Sequence, residues 1–540
     1  MTKTNDERVF ELYEQLLEIE QRLIPTGLHV FGRPSAAAER GDLLKMIASF
    51  DRPEAGIRAL PQERADEAIR EFLDNGTDAA VRHLEQHGLK AETTRPIFAL
   101  LETVSTRLQS NNEIDSLVRA LRGEFIQPGP GADIVQNPDI LPTGRNTHAI
   151  NPYGVPSAVA FARGKIVARS LLDRYREENG RFPEAMGLVL WGLDNIKTQG
   201  EGVAQALWLL GVRPVRDGLN RATNVEAISL AELGRPRIDV VMTISGIFRD
   251  LFSPTVHLLD KAVRLVAGLD EPLDQNYVRK HVVEQIAADN CDTDEAATRV
   301  FSNAPGNYGT NVNFMVMDSQ WEREDTLGDL FVTRKCFAYG RDSKGRTIDG
   351  REARVAMDRA LSRVEATYQN IDTFEIGLTD VDHYFEYLGG ISKAVEKRAQ
   401  ARPSIYLSDS LSRDLKIRSL EETVRLETRA KTLNPKWYEG MLKHGFRGVA
   451  EIENHVSNTF GWSATADAVD DWIYSEVANT FVFDQSMLER LRELNPHSAH
   501  ALVRRLLEAN GRGYWDVDAD VLDKLQEISR DLEDQLEGVA

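Results

Sequence analysis

The sequence predicts an α/β fold of several domains: mostly parallel sheet with covering helices, flanked by helical N- and C-terminal regions. Three observations predict it. A chain of 540 residues is too long for a single hydrophobic core. Between about 140 and 400, short apolar runs alternate with amphipathic segments, which is the pattern of strand–helix–strand units. On either side of that stretch, apolar residues recur instead at three- and four-residue spacings. With 42% hydrophobic and 28% charged residues the chain can bury a sizeable interior and still present a solvated surface.

Taken in order, Val9, Leu12, Leu16, Ile19 and Leu23 mark a first helix, stopped by Pro25-Thr26-Gly27. Further helical runs fall near 62–73, 92–108 and 112–122, and the breaker cluster Gln127-Pro128-Gly129-Pro130-Gly131 closes a helical region at 1–135. An α/β domain follows at 136–403. Gly187-Leu188-Val189-Leu190-Trp191 reads as a strand, Val203 to Leu210 as a helix, and Val212 to Val215 as a short second strand after Gly211. Ile238 to Ile244 is the clearest buried strand, and Ser253-Pro254 starts the helix after it. A third region, 404–540, reads as helical, with Arg418, Glu421, Arg425, Glu427 and Arg429 on a solvated helix and Trp437, Trp462, Trp472 and Trp515 as packing anchors. There is no repeat of fixed period and no low-complexity tract.

The net charge of -20 argues against nucleic-acid and anionic-membrane binding, because an acidic surface repels phosphate. Cations and basic partner surfaces are the better electrostatic matches. Cys291 and Cys336 have no paired spacing, so neither a disulfide framework nor a thiolate metal site is indicated, and a cytoplasmic location is expected. No apolar run approaches twenty residues and Met1 to Asp6 has no signal-peptide pattern, so any membrane contact is expected to be peripheral. The G-x-x-x-x-G-K-[ST] pattern is absent, which excludes a nucleotide-hydrolysing site of that kind. The segment from Ser302 to Asn311 is rich in residues that tolerate unusual backbone angles and reads as a shaped loop, only weakly like a phosphate cradle.

Open α/β sheets bind ligands beyond the carboxyl ends of their strands. Two loops fit that rule: Gly192 to Glu201, carrying Asp194, Asn195, Lys197 and Thr198, and Ser245 to Asp250, carrying Arg249. The denser constellation is Leu378 to Gly390. If it is helical, His383 and Glu386 lie three residues apart on one face, with Asp380 and Asp382 within one turn. The plainer reading makes Asp380 or Asp382 a helix cap and His383 a packed or surface side chain. Arg249-Asp250 and Lys197-Asp194 can likewise be local ion pairs that fix loop shape.

Three segments carry a family resemblance: Leu141 to His148, Leu190 to Thr198, and Ser245 to Phe252. Together they resemble the large, porphyrin-binding subunit of magnesium chelatase, and more loosely that of the aerobic cobaltochelatase. Asp194 to Thr198, Asn434 to Met441 and Gly461 to Thr465 look like the magnesium branch. The resemblance implies that the chain handles protoporphyrin IX and Mg²⁺ as substrates, with ATP hydrolysed by partners: an AAA+ ATPase subunit and its adaptor subunit. Family members are usually more than twice this length, and a glycine-histidine-glycine motif with a following glutamate in their N-terminal part has no counterpart here. A split subunit completed by another chain, a piece of a longer chain, and a shortened paralogue that binds tetrapyrrole without chelating are all open.

For a ring with two propionates and a broad apolar plane, Lys197 can pair with a carboxylate, Trp191 offers a stacking face and Arg249 a bidentate contact. Asn195 stands in the same loop. Asn146, His148 and Asn151 form a polar cluster before Pro152 that can hold a metal or accept a proton, although a lone histidine in a turn more often bonds to its own loop. Metal insertion requires two weakly acidic pyrrole protons to leave, so a positioned base is needed. His383, Glu386 and Asp382 are the expected catalytic groups. Asp380 and Asp382 are the expected oxygen ligands for hydrated Mg²⁺.

Overall fold

The computed structural model describes residues 24–539 apart from 53–54, 132, 136, 149, 324, 374 and 410–414, together with 12, 13, 16, 18 and 19. Most of the first expected helix therefore lies outside the described residues. The chain divides into two compact units: 1–149 with 373–375, and 150–372 with 376–540.

In the first unit, helices Gln62–Asn75, Ala91–Leu108 and Glu113–Leu121 follow the expected runs, and Ala37–Ala48 and Thr77–Gln86 are two further helices. Their apolar stripes meet in a core that includes Leu44, Ile47, Phe72, Leu84, Phe98 and Leu101. The breaker cluster near 130 forms β1 (Pro128–Pro130), which pairs in parallel with β2 (Asn146–His148).

The second unit is built on an eight-stranded sheet. Its strands are β3 (Ala185–Leu190), β6 (Asp239–Ile244), β7 (Val300–Ser302), β8 (Phe337–Ala338), β9 (Arg351–Glu352), β10 (Ala366–Ile371), β11 (Ser404–Asp409) and β12 (Lys416–Ser419). The order is β12-β11-β10-β3-β6-β7-β8-β9, with β11, β10, β3, β6 and β7 mutually parallel and the other three antiparallel at the edges. Every residue of β3 and β6 is buried, which is why both read as near-continuous apolar runs. Asp239 at the start of β6 is the exception. It is buried against Arg299 and His281 at 2.9 and 2.8 Å, so its charge is matched at the amino end of the strands, away from their carboxyl ends.

Two expectations are corrected. Val212 to Val215 is not a second strand of the main sheet: β4 (Val212–Arg216) pairs only with β5 (Ala222–Ala227), as an antiparallel hairpin. Nor is the chain purely helical after 404, because β11 and β12 complete one edge of the sheet before the helices resume at Leu420–Glu427. Those helices share a unit with the sheet. Glu427, expected on a solvated face, is 1% exposed and accepts the backbone N–H groups of Leu378 and Thr379 at 2.7 and 2.9 Å. Trp437, Trp462 and Trp515 are buried as expected, and Trp472 is half-buried.

The chain runs from β3 outward to β6 and β7, then returns to the other side of β3 for β10 and β11. Strand order thus reverses between β3 and β10. In open α/β sheets, ligands bind beyond the carboxyl ends of the strands at such a switch point.

Candidate functional site

At the end of β3 stands Trp191. Its indole N–H donates to Gln369 Oε1 of β10 at 3.0 Å, and its ring meets Tyr387 at 4.6 Å and Tyr384 at 5.8 Å between centroids. The segment after it is a short helix, Gly192–Lys197, where an open loop was expected. Its Lys197 reaches across the switch point to Asp372, just past β10, with Nζ 3.0 Å from Oδ2; Asp194 is not its partner. Tyr384 donates to the other Asp372 oxygen at 3.3 Å.

Asp194 lies beneath, 3% exposed, and accepts from Asn370 Nδ2 at 3.0 Å. Burial, reinforced by the nearby Asp372 charge, holds its carboxyl well above the ordinary aspartate range. Asn195 is fully buried: its amide donates to the Trp191 carbonyl at 2.8 Å and accepts the Val203 N–H at 3.2 Å. It fixes the two helices after β3 and does not face a ligand.

Beside this, Ser245 ends β6 and caps the short helix Gly246–Leu251, again helical where a loop was expected. Its hydroxyl accepts from Phe248 N at 3.1 Å and Gly192 N at 3.2 Å, tying the two carboxyl-end segments together. Arg249 pairs with Asp250 at 2.7 Å, and its Nη1 donates to the carbonyls of Ala304 and Asn307, each at 3.0 Å. It is 5% exposed. The guanidinium shapes the 303–311 loop, as the plainer reading had it, and is not free for a bidentate ligand contact.

The 378–390 segment is helical at Asp382–Tyr384 and continues as a π-helical turn, Phe385–Gly389, a local irregularity that often accompanies function. The i,i+3 spacing brings His383 Nδ1 to 2.8 Å from Glu386 Oε2. Glu386 is 1% exposed and its remaining capacity is filled by Thr310 N, by Thr310 Oγ1 at 3.1 Å and by Asn311 N at 2.9 Å. Burial alone would raise its pKa. His383 and the two backbone N–H groups outweigh burial and hold it below the ordinary glutamate value. The hydrogen bond to Glu386 conversely raises the pKa of His383, whose side chain is 62% exposed.

The shaped loop at 302–311 thus cradles an anion, but the anion is the protein's own carboxylate. Gly309, at φ +67°, brings its backbone so close that a Cβ there would lie 3.0 Å from Glu386 Oε1. Behind the loop, Lys335 is fully buried, donates to Ile244 O at 3.1 Å and Asn303 Oδ1 at 2.9 Å, and lies 4.0 Å from the Tyr387 ring centroid. Burial holds its pKa well below the ordinary lysine value.

Asp382 accepts from Asn313 Nδ2 at 2.6 Å, lies 3.7 Å from His383 Nδ1 and keeps 34% exposure. Asp380 does not fit the expected metal-ligand role. One oxygen pairs with Lys431 and Gly377 N and the other with His455 Nε2 at 2.7 Å, and Lys431 and His455 together outweigh burial and depress its pKa. It anchors the segment. His455 in turn packs against Trp437 at 4.4 Å, Trp462 donates to Leu378 O at 3.1 Å, and Gly461 and Thr465 lie hard against Phe385 and Gly389. The C-terminal motifs are therefore the supporting layer of the 378–390 segment.

Asn146 and His148 belong to the first unit, and their side chains lie outside the described residues. Asn151 is exposed and accepts the Tyr153 N–H at 3.1 Å, a turn-forming contact. Sequence reasoning missed Asp372, Gln369, Asn370, Tyr384, Tyr387 and Lys335. The β-branched and aromatic run Ala366-Thr367-Tyr368 was the available signal for the strand whose end supplies the first three.

The fold and the site together define an α/β protein with aromatic and acid–base side chains gathered beyond the carboxyl ends of its central strands. The chain belongs to the CobN/Magnesium Chelatase family, whose model matches residues 1–522. It is 42% identical to the chloroplastic magnesium-chelatase subunit ChlH of Oryza sativa subsp. indica and 41% identical to the corresponding magnesium-chelatase subunit of Cereibacter sphaeroides, each over 98% of this chain. It spans 42% and 40% of those relatives' lengths. Among solved structures it is similar to the catalytic subunit of cobaltochelatase from Mycobacterium tuberculosis, with TM-score 0.91 and 34% identity over 98% of this chain and 47% of that one. Among the described residues no helix is long and apolar enough to cross a membrane.

Proposed function

We propose that this chain is the tetrapyrrole-handling portion of a chelatase large subunit that inserts Mg²⁺ into protoporphyrin IX, in the cytoplasm. ATP is hydrolysed by an AAA+ partner acting with an adaptor subunit, and a further chain or chain segment completes the enclosure. The observation that carries the reading is the side-chain cluster at the switch point between β3 and β10. Trp191, Tyr384 and Tyr387 supply an aromatic wall for an apolar ring plane, and Lys197, already holding Asp372, supplies the cation a propionate would recruit.

Insertion releases two pyrrole protons. His383 is the base: Glu386 accepts the Nδ1–H and so fixes the tautomer whose Nε2 lone pair is available, and it raises the basicity of that nitrogen. Each proton accepted at Nε2 leaves to solvent through the exposed imidazole before the next is taken. Glu386 is a positioning residue, since its oxygens face the loop and His383. Asp382, partly exposed beside His383, is the oxygen donor closest in character to what hydrated Mg²⁺ prefers.

Magnesium is supported by the 42% and 41% identity to magnesium-chelatase subunits. Cobalt and a corrin-type ring form the second reading, favoured by the 0.91 TM-score against a cobaltochelatase subunit. The test is chelation with the ATPase partners and the remaining large-subunit portion supplied, offering Mg²⁺ with protoporphyrin IX and Co²⁺ with a corrin-type ring. ATP-dependent loss of free protoporphyrin fluorescence with Mg²⁺ alone is expected. Turnover only with Co²⁺ would move the chain to the second reading.

A further inference from the structure

We infer a metal site in the first unit, outside the proposed chelatase site: Glu67, His83 and His87 form a three-ligand site for a borderline divalent transition ion such as Zn²⁺, Co²⁺ or Ni²⁺. Among the described residues these three offer one ligand atom each, all within 4.8 Å of one another. The placement follows from local structure. Helices Gln62–Asn75 and Thr77–Gln86 turn sharply at Gly76, which holds φ +83°, and pack through Ala68, Phe72, Ala80, Val81 and Leu84. That packing sets Glu67 on one helix beside His83 on the next, and His87 follows one turn later.

The imidazoles are arranged as ligands. His87 Nδ1 lies 2.9 Å from the His83 carbonyl; a carbonyl only accepts, so Nδ1 carries the proton and Nε2 presents its lone pair. His83 Nε2 is screened from solvent and has no hydrogen-bond partner among the described residues, with the Glu67 carboxylate 3.5 Å away. The two rings are 4.8 Å apart between centroids. A bound ion would bring ligand atoms somewhat closer than 4.8 Å, and Glu67, 58% exposed and held otherwise among the described residues only by Arg64 at 3.7 Å, can swing in.

Two imidazoles and one carboxylate select the ion. They suit borderline metals and are poor for Mg²⁺, which demands a near-complete oxygen shell. Three protein ligands with no cysteine leave coordination positions for water, unlike the closed four-ligand sites that hold folds together. The site is therefore expected to load and unload without unfolding the unit.

The test is calorimetric titration of the whole purified chain with Zn²⁺, with Co²⁺ absorption in the visible as the geometric readout. One ion per chain is expected, undisturbed by millimolar-range excess of Mg²⁺. His83→Ala with His87→Ala should abolish it, and Glu67→Gln, a surface change with little bearing on folding, should weaken it by about tenfold or more. Far-UV circular dichroism checks each fold. Absence of stoichiometric binding, or binding unchanged in the double variant and in Glu67→Gln, would overturn the assignment. Porphyrin binding is measured separately, so failure here leaves the chelatase reading standing and the converse also holds.

Discussion

Glu386→Gln separates positioning from catalysis most sharply. The glutamine is isosteric, and its carbonyl can still accept from Thr310 N and Asn311 N. Its amide, however, must face the Nδ1–H of His383, donor against donor, so the 2.8 Å hydrogen bond is lost or the imidazole changes tautomer. Hydrogen bonds to a charged group contribute roughly 1.5–3 kcal/mol each and neutral ones about 1 kcal/mol. Neutralising two backbone contacts and losing the His383 contact, which is half in solvent, gives an expected destabilisation of about 2–4 kcal/mol. All seven tryptophans, Trp191 to Trp515, lie in the second unit, so urea unfolding followed by tryptophan fluorescence reads that unit alone. The pH signature has a definite sign. His383, raised above its ordinary 6.5, contributes stability below about that pH and loses it as pH rises through the raised value. Glu386, lowered from its ordinary 4.5, contributes above that pH and loses its share as pH falls through the lowered value. The pair therefore contributes most between 4.5 and 6.5, and the variant should lose this maximum. By NMR, His383 should titrate lower in Glu386→Gln than in the parent. In reconstituted chelation, His383→Ala should fall by roughly 10²–10⁴-fold, the usual share of a general base. Unchanged stability together with an unmoved His383 titration would refute the positioning argument.

Three further outcomes follow from the same geometry. Asp194, raised above its ordinary 3.8 by burial, loses stability for the folded state as pH rises above that value; Asp194→Asn should flatten this fall, and an undiminished pH slope in urea midpoints would contradict this. Gly461→Ala places a Cβ 2.6 Å from the Phe385 ring, so it should cost about 1–3 kcal/mol by overpacking in the same unfolding assay and slacken the 378–390 segment. The purified chain alone should hydrolyse no ATP in a phosphate-release assay; turnover abolished by a mutation in this chain would reassign the energy source.

What the sequence made legible was whatever short spacing controls. β3 and β6 announced themselves as apolar runs because both faces are covered, and His383 met Glu386 because three residues is one helical turn. Residues 404–419 were read as helical because β11 and β12 lie at a sheet edge, where β12 is only half-buried and mixes charged and apolar residues. The fate of Asp380 was hidden for another reason: Lys431 and His455 come from helices far downstream, and only the packed fold turns a candidate ligand into an anchor. Lys335 was invisible because its neighbours Arg334 and Thr333 make it look solvated, while the helix rotates it inward onto Tyr387. The segment at 302–311 was legible as a shaped loop, but its partner, Glu386, could be known only from the tertiary fold.

The ring is proposed to bind against the side chains gathered at the carboxyl ends of β3 and β10. This is tested most directly by titrating the isolated chain with a soluble porphyrin while following the porphyrin's own absorption, in the parent and in Trp191→Leu, Lys197→Ala and Tyr387→Leu. A saturable shift is expected, with a dissociation constant on the order of tens of micromolar or tighter, weakened about tenfold by removal of either aromatic face or the cation. A shift that does not saturate, or one that all three folded variants reproduce unchanged, would contradict it.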